Sequence, residues 1–211
     1  MPVNQYIQDF VRVYDNIYSE QLCDEIIQEY AESEYIPAAV GDQISPHLRH
    51  VDEISLSLPN SNNSYTRQIL LTQIRSGIQN VISQYRKPFK YFYVENDTGF
   101  QLLKYKTGHY YKQHVDIFRP VADQNIINAI LDMNLTPEDL LKYHGSGQPA
   151  LSCSILLNND FEGGELGFWD NTFKIKPTKG SVVVFPSNFM YPHQVSKITK
   201  GTRYVIVTWL I

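Results

Sequence analysis

The sequence predicts a mainly β (α+β) fold, a sandwich or double-sheet jelly roll braced by helices near its N-terminus. Three observations predict it. Six strand-like segments follow in quick succession from Leu151 to Leu210, divided by turn signals at Asn158-Asn159-Asp160, Glu162-Gly163-Gly164, Asp170-Asn171, Lys179-Gly180 and Lys200-Gly201. The two longest apolar stripes of helical period fall within the first 99 residues. Aromatic content is high, with 15 Tyr, 10 Phe and 2 Trp, which suits a β-rich core and ring-lined pockets.

Phe10–Tyr14 alternates and carries β-branched residues, so it reads as a short strand. Ser19 can cap an amphipathic helix from about Glu20 to Ser33, in which Leu22, Ile26 and Tyr30 recur every four residues. Residues 37–46 read as a loop, His50–Leu58 as an alternating strand and residues 59–64 as a polar loop. Leu70, Ile74, Ile78, Val81, Ile82 and Tyr85 give a second helix one apolar face, which Lys87-Pro88 ends. Strands are expected at Tyr91–Val94, Phe100–Tyr105 and Tyr111–Phe118.

Residues 118–149 interrupt the β pattern with apolar spacing at Ile126, Ile127, Ile130 and Leu131. Thr136-Pro137-Glu138 then caps a short helix over 138–143. This insertion is either a lid or decoration. The remaining strands are Leu151–Leu157, Leu166–Trp169, Thr172–Ile175, Ser181–Phe185, Tyr191–Val195 and Arg203–Leu210. With no repeat, linker or low-complexity stretch, residues 1–211 read as one domain, with the bracing elements over 1–99 and the β core over 100–211.

Composition narrows the function. A net charge of -4 argues against a general nucleic-acid binder. The two cysteines, Cys23 and Cys153, lack metal-ligand spacing and read as buried free thiols in a reducing compartment. The N-terminus has neither a basic segment nor an apolar one. No apolar run approaches the roughly 20 residues a membrane-spanning helix needs. A cytoplasmic protein without a membrane partner is expected.

The chemistry concentrates at His114-Val115-Asp116. On a strand, residues two apart share a face, so an imidazole and a carboxylate stand side by side. One further His would complete a facial set of two His and one carboxylate. Such a set leaves open positions on a non-haem Fe(II) that must bind oxygen and a cosubstrate. His193, on a late strand, is the candidate, and Arg203 opens the next strand beyond the turn at Lys200-Gly201. A hairpin lets both enter one cavity, the His at the metal and the guanidinium on the far carboxylate of a dicarboxylic acid.

Several patterns agree in order with one family. Tyr105, Gly108, Tyr111, His114 and Asp116 form one run. Leu157-Asn158 is followed by Phe161-Glu162-Gly163-Gly164-Glu165-Leu166 and Phe168. Pro177, Gly180 and Phe185 come next, then His193, Val195, Gly201, Arg203 and Trp209. On these residues the chain resembles the Fe(II)/2-oxoglutarate-dependent oxygenases of the prolyl 4-hydroxylase-like branch, over most of its length. The resemblance implies a double-stranded β-helix, that is, a jelly roll with its site inside the open end. It implies His114, Asp116 and His193 as iron ligands, Arg203 on the distal carboxylate of 2-oxoglutarate, and Tyr105 as a hydrogen-bond donor to that carboxylate. Arg203-Tyr204 stands where the branch more often has Lys-Trp, a swap that keeps the positive charge. Gln148-Pro149-Ala150 stands where it usually has a basic residue.

Other residues are weighed on position. Ser152 and Ser154 share a strand face with Leu156 and either touch the cosubstrate or line the barrel. Tyr111 either orients substrate or packs at the mouth. Trp169 lies on a connection that meets substrate or is structural, and Arg49 lines the entrance or the surface. Trp209 reads as core. The implied activity is hydroxylation of a C–H bond, of a prolyl residue in a peptide or protein, using O2 and 2-oxoglutarate with ascorbate as reductant and releasing succinate and CO2. A free amino acid or another protein side chain is the alternative substrate. A degenerate jelly-roll module for metal binding or interaction is the non-enzyme alternative. Nucleic-acid demethylation is disfavoured because no second Arg follows Arg203. Oligomeric state is not indicated.

Overall fold

The computed structural model describes residues 6–40, 43–57, 64–89, 91–116 and 149–211. A 3-10 turn (Ile7–Phe10) precedes β1 (Arg12–Tyr14) and α1 (Glu20–Glu29). Then come β2 (Ile36–Pro37), β3 (Ala39–Val40), β4 (Gln43–Ile44), β5 (Arg49–His50), β6 (Asp52–Ser55) and α2 (Tyr65–Tyr85). The later strands are β7 (Gln101–Lys106), β8 (Tyr110–His114), β9 (Leu151–Leu156), β10 (Glu162–Gly163), β11 (Leu166–Phe168), β12 (Phe173–Ile175), β13 (Val182–Pro186), β14 (His193–Val195), β15 (Ile198–Lys200) and β16 (Thr202–Leu210).

Two antiparallel sheets carry the fold. The larger runs β1-β13-β9-β16-β7-β6-β2 and the smaller β12-β11-β14-β8-β5. Strand alternation sends successive side chains of the larger sheet to two different cores. Leu102, Val182, Val184 and Ile206 face α1 and α2, packing on Cys23, Ile26, Leu70 and Ile74. Their neighbours Leu103, Val183 and Val205 face the smaller sheet, packing with Leu166, Phe168 and Val195. The helices therefore brace one face while the other is free to build a site between the sheets. This is the jelly roll the sequence predicts.

Ile206 is fully buried on the helix side, between β7 and β9. Ile206→Ala is expected to cost about 2–5 kcal/mol in urea denaturation, as large-to-small core changes do. It should leave ligand affinities near parent values, because its side chain points away from the cavity.

Ser19 caps α1 by accepting from the Leu22 amide, and Ser64 caps α2 by accepting from the Arg67 amide. Several expectations need correction, among them the strand expected at Tyr111–Phe118, which ends at His114. Tyr91–Val94 forms no strand: the segment is irregular and Tyr91 and Tyr93 are exposed. The following Glu95 amide donates to the carbonyl of Ile211, which docks the C-terminus instead of extending a ladder. Helix α1 stops at Glu29, not Ser33, with the Tyr30, Ala31 and Ser33 amides bonded in successive tight turns. His50–Leu58 splits at the buried Val51 into β5 and β6, which belong to different sheets.

Within 37–46, read from the sequence as loop, β3 and β4 pair. The expected insertion at 118–149, with its helix over 138–143, lies outside the described residues except for Pro149.

Candidate active site

Strand pairing assembles the site from four strands. On β14 and β8, His193 sits directly opposite His114. On β16 and β7, Arg203 sits opposite Tyr105. Asp116 follows β8 two residues after His114 and points to the same side. The Nε2 of His114 lies 3.6 Å from Asp116 Oδ1, and the Nε2 of His193 lies 3.6 Å from Asp116 Oδ2. The candidate ligand atoms of these three residues all lie within 4.8 Å of one another, the one such group among the described residues.

Hydrogen bonds fix which ring nitrogen faces the centre. His114 Nδ1 lies 2.8 Å from the carbonyl of Lys112, and His193 Nδ1 lies 3.1 Å from the carbonyl of Tyr191. A carbonyl only accepts, so each Nδ1 carries the proton and each Nε2 keeps its lone pair for a metal. Burial, and then the nearby His193, push the His114 pKa down to about 3, so its ring is neutral at physiological pH. Burial by itself would raise the Asp116 carboxyl. The neighbouring His193 and His114, with hydrogen bonds from Ser152 and Trp209, hold it below the usual carboxylate range. Two imidazole nitrogens and one ionised carboxylate form the donor set that suits Fe(II) with open positions.

The three candidate ligands open into a cavity that Arg203 and Tyr105 also line. At its inner end lies Arg203, 3% exposed, with its Cζ 5.3 Å from the centre of the Tyr105 ring. Its Nη1 has no hydrogen-bond partner. Burial pushes its pKa down, and no carboxylate among the described residues offsets this. A buried, unpaired guanidinium facing a cavity calls for an anion brought from outside. A dicarboxylic acid chelating the metal at one end fits it. Burial also raises the Tyr105 phenol, which stays a neutral donor.

Of the remaining candidates, Ser152, Ser154, Tyr111 and Arg49 line the cavity and Trp169 does not. The Tyr111 ring stacks on His114 with centroids 3.5 Å apart, and the Arg49 guanidinium lies 5.1 Å from the Tyr111 ring centre. Arg49 is itself held by Glu53 and the Ala39 carbonyl. Ser152 bonds to Asp116 rather than pointing freely into the cavity. Trp169 packs outside, on Phe173 and Tyr191, with its indole donating to the Met190 carbonyl.

Two residues escaped the sequence reading. Trp209 was read as core, yet it lines the cavity and bonds to Asp116. The signal was available: Arg203, Val205, Val207 and Trp209 are spaced by two, and all four line the cavity. Ser187, hydrogen-bonded to Ser152, had no signal in one dimension.

Gly164 makes room for the arginine. It has φ +68, and a Cβ there would lie 2.5 Å from Ile198 Cδ1 and 3.0 Å from Arg203 Cδ. Gly164→Ala is therefore expected to weaken 2-oxoglutarate binding at least several-fold while Mn(II) affinity changes little, as calorimetry can measure. The added backbone strain should cost about 1–3 kcal/mol of stability.

A sequence model of the 2OG-Fe(II) oxygenase superfamily matches residues 100–211, just over half of the chain. A protein of Acanthamoeba polyphaga mimivirus named "Putative prolyl 4-hydroxylase" is 23% identical over 205 residues, covering 93% of this chain and 72% of that protein. A PKHD-type hydroxylase of Prochlorococcus marinus is 36% identical over 72 residues, covering 32% of each chain.

Among solved structures, a Trichoplax adhaerens prolyl hydroxylase in complex with a hypoxia inducible factor peptide fragment superposes with TM-score 0.68 at 16% identity, covering 96% of this chain and 83% of that one. A Pseudomonas putida prolyl-4-hydroxylase superposes with TM-score 0.64 at 17% identity, covering 95% and 92%. The matched region contains all three candidate ligands and Arg203, and the chain belongs to the 2OG-Fe(II) oxygenase superfamily, with a prolyl 4-hydroxylase-like fold.

Proposed function

We propose that this enzyme hydroxylates a C–H bond of a prolyl residue in a peptide or protein, consuming 2-oxoglutarate and O2 and releasing succinate and CO2. The observation that carries the cosubstrate assignment is the unpartnered Nη1 of buried Arg203 in the cavity that holds the three ligands. His114, Asp116 and His193 would hold Fe(II). Bound there, the metal supplies the centre at which two-electron oxidation of 2-oxoglutarate is coupled to insertion of one oxygen atom into the substrate.

The protein's own residues do the rest. Arg203 and the neutral phenol of Tyr105 fix the distal carboxylate, which orients the cosubstrate. Leu103, Leu166, Val195, Val205 and Val207 give the cavity apolar walls that limit water around the reacting atoms. Tyr111, stacked on His114, and Arg49 behind it shape the same cavity for the substrate chain.

The prolyl assignment leans on the names of the relatives and on the peptide bound to the Trichoplax adhaerens neighbour. Ascorbate belongs to the reading as the reductant that keeps iron ferrous. A reducing, cytoplasmic setting fits two free, buried cysteines. We read the whole chain as one domain, since β1, β2 and β6 complete the sheet that holds Arg203.

Incubating diverse prolyl peptides with the enzyme, Fe(II), ascorbate and 2-oxoglutarate should give a mass gain of one oxygen on at least one of them. No gain on any, with succinate still released, would remove the prolyl assignment and leave a free amino acid or another side chain as the target.

A further inference from the structure

Asp116 is held by more than its neighbours in the ligand set. Ser152 Oγ donates to Asp116 Oδ2 at 2.6 Å, and Ser187 Oγ lies 2.6 Å from Ser152 Oγ. Both serines are buried, at 3% and 4% exposure. The direction of this chain follows from charge. An ionised carboxylate can only accept, so the one proton of the Ser152 hydroxyl goes to Asp116. Ser152 then offers lone pairs alone, and Ser187 must donate to it.

The position of Ser187 gives this chain a second end. It follows β13, its amide is bonded to the Ala150 carbonyl, and it begins the connection that delivers His193 on β14. That connection is fastened again at Met190, whose carbonyl accepts from the Trp169 indole, and at Tyr191, whose carbonyl accepts from His193 Nδ1. One short segment therefore controls the orientation of His193 through its backbone and of Asp116 through a hydroxyl.

We propose that Ser187 is a positioning residue of the metal centre, acting through Ser152 to hold Asp116 in register with His193. Ser152 accordingly serves the metal carboxylate rather than the cosubstrate. Ser187 touches neither metal nor substrate, and its effect vanishes when Ser152 cannot relay it. The inference rests on the metal-site reading given above.

The test is Mn(II) binding, with Mn(II) alone as the probe, measured by calorimetry on the full chain. The variants are Ser152→Ala, Ser187→Ala, Ser187→Thr and the Ser152→Ala/Ser187→Ala pair, with the melting temperature of each metal-free protein as a control for folding. Partners of a metal ligand typically change affinity by about 10–100-fold. Ser152→Ala is expected to weaken Mn(II) binding within that range, and Ser187→Ala by about tenfold. Ser187→Thr, which keeps the hydroxyl, should restore affinity to within about twofold of the parent.

In the double variant the losses should not add, because Ser187 has nothing left to donate to. Parent-like Mn(II) affinity in Ser187→Ala, or additive losses in the pair, would overturn the relay. Failure of the parent itself to bind Mn(II) would instead overturn the metal-site reading on which it rests.

Discussion

Arg203→Met will bind Mn(II) like the parent and will not bind 2-oxoglutarate. The substitution keeps the length of an apolar stem and removes the buried cation that lines the cavity with an Nη1 that has no partner among the described residues. In the ligand-free parent that cation has been desolvated without a compensating carboxylate, so its replacement by a hydrophobic side chain should be neutral to stabilising, by up to about 4 kcal/mol. A ligand at 100 times its Kd stabilises the fold by about 2.7 kcal/mol. For a chain of this size that raises Tm by roughly 5–10 °C. The parent should show this rise with 2-oxoglutarate and Mn(II) together. Arg203→Met should show none, while starting from an equal or higher Tm. The two effects have opposite signs, which separates loss of a binding residue from damage to the fold.

Asp116→Ala will lose the metal. Its carboxylate stands 3.6 Å from the Nε2 atoms of both histidines and is the only charged donor of the set. The loss in Mn(II) affinity is expected to exceed about 100-fold, the upper end of what a supporting partner is worth. Stability should also fall, by about 1–3 kcal/mol for each donor left unpaired, since Ser152 and Trp209 both bond to this carboxylate. Binding of 2-oxoglutarate should weaken with the metal, because Arg203 and Tyr105 hold just one end of it. Calorimetry of Mn(II), and then of 2-oxoglutarate at saturating Mn(II), measures both losses.

Residues that act through periodicity were legible in the sequence. Strands β9, β11, β13, β14 and β16 lie within a residue or two of where alternation and turn residues put them. The helices followed from four-residue apolar recurrence and, for α1, from the Ser19 cap; the Ser64 cap of α2 was not read. His114 and Asp116, two residues apart, point to the same side although only His114 lies on β8. The expected hairpin between the strands of His193 and Arg203 is not formed: β14 belongs to the smaller sheet, β16 to the larger and β15 lies between them in the chain, so the two side chains reach one cavity from facing sheets.

What could not be read depends on pairing between distant strands. The β10–β15 ladder is two or three residues long on each side, too short to show a period, and it closes around Gly163 at φ +79. Ser187 is 35 residues from Ser152, and only the β13–β9 register brings them together. Tyr91–Val94 misled because it does alternate, with Tyr91 and Tyr93 exposed and Phe92 and Val94 half-buried against the helix-side core, yet no described strand pairs with it. Trp169 looked close to the chemistry in sequence. The chain turns at residues 169–171, all with positive φ, and the indole packs on Phe168, Phe173 and Tyr191 instead of lining the cavity.

The central claim, that one cavity holds Fe(II) on His114, Asp116 and His193 and 2-oxoglutarate on Arg203, is tested most directly by anaerobic visible absorption. A charge-transfer band should appear when Fe(II) and 2-oxoglutarate are both added to the parent. It should saturate at one of each per chain and be absent with either alone, in Asp116→Ala, and in Arg203→Met at the same 2-oxoglutarate concentration. A band of parent intensity and affinity in Arg203→Met, or no band in the parent, would contradict the account.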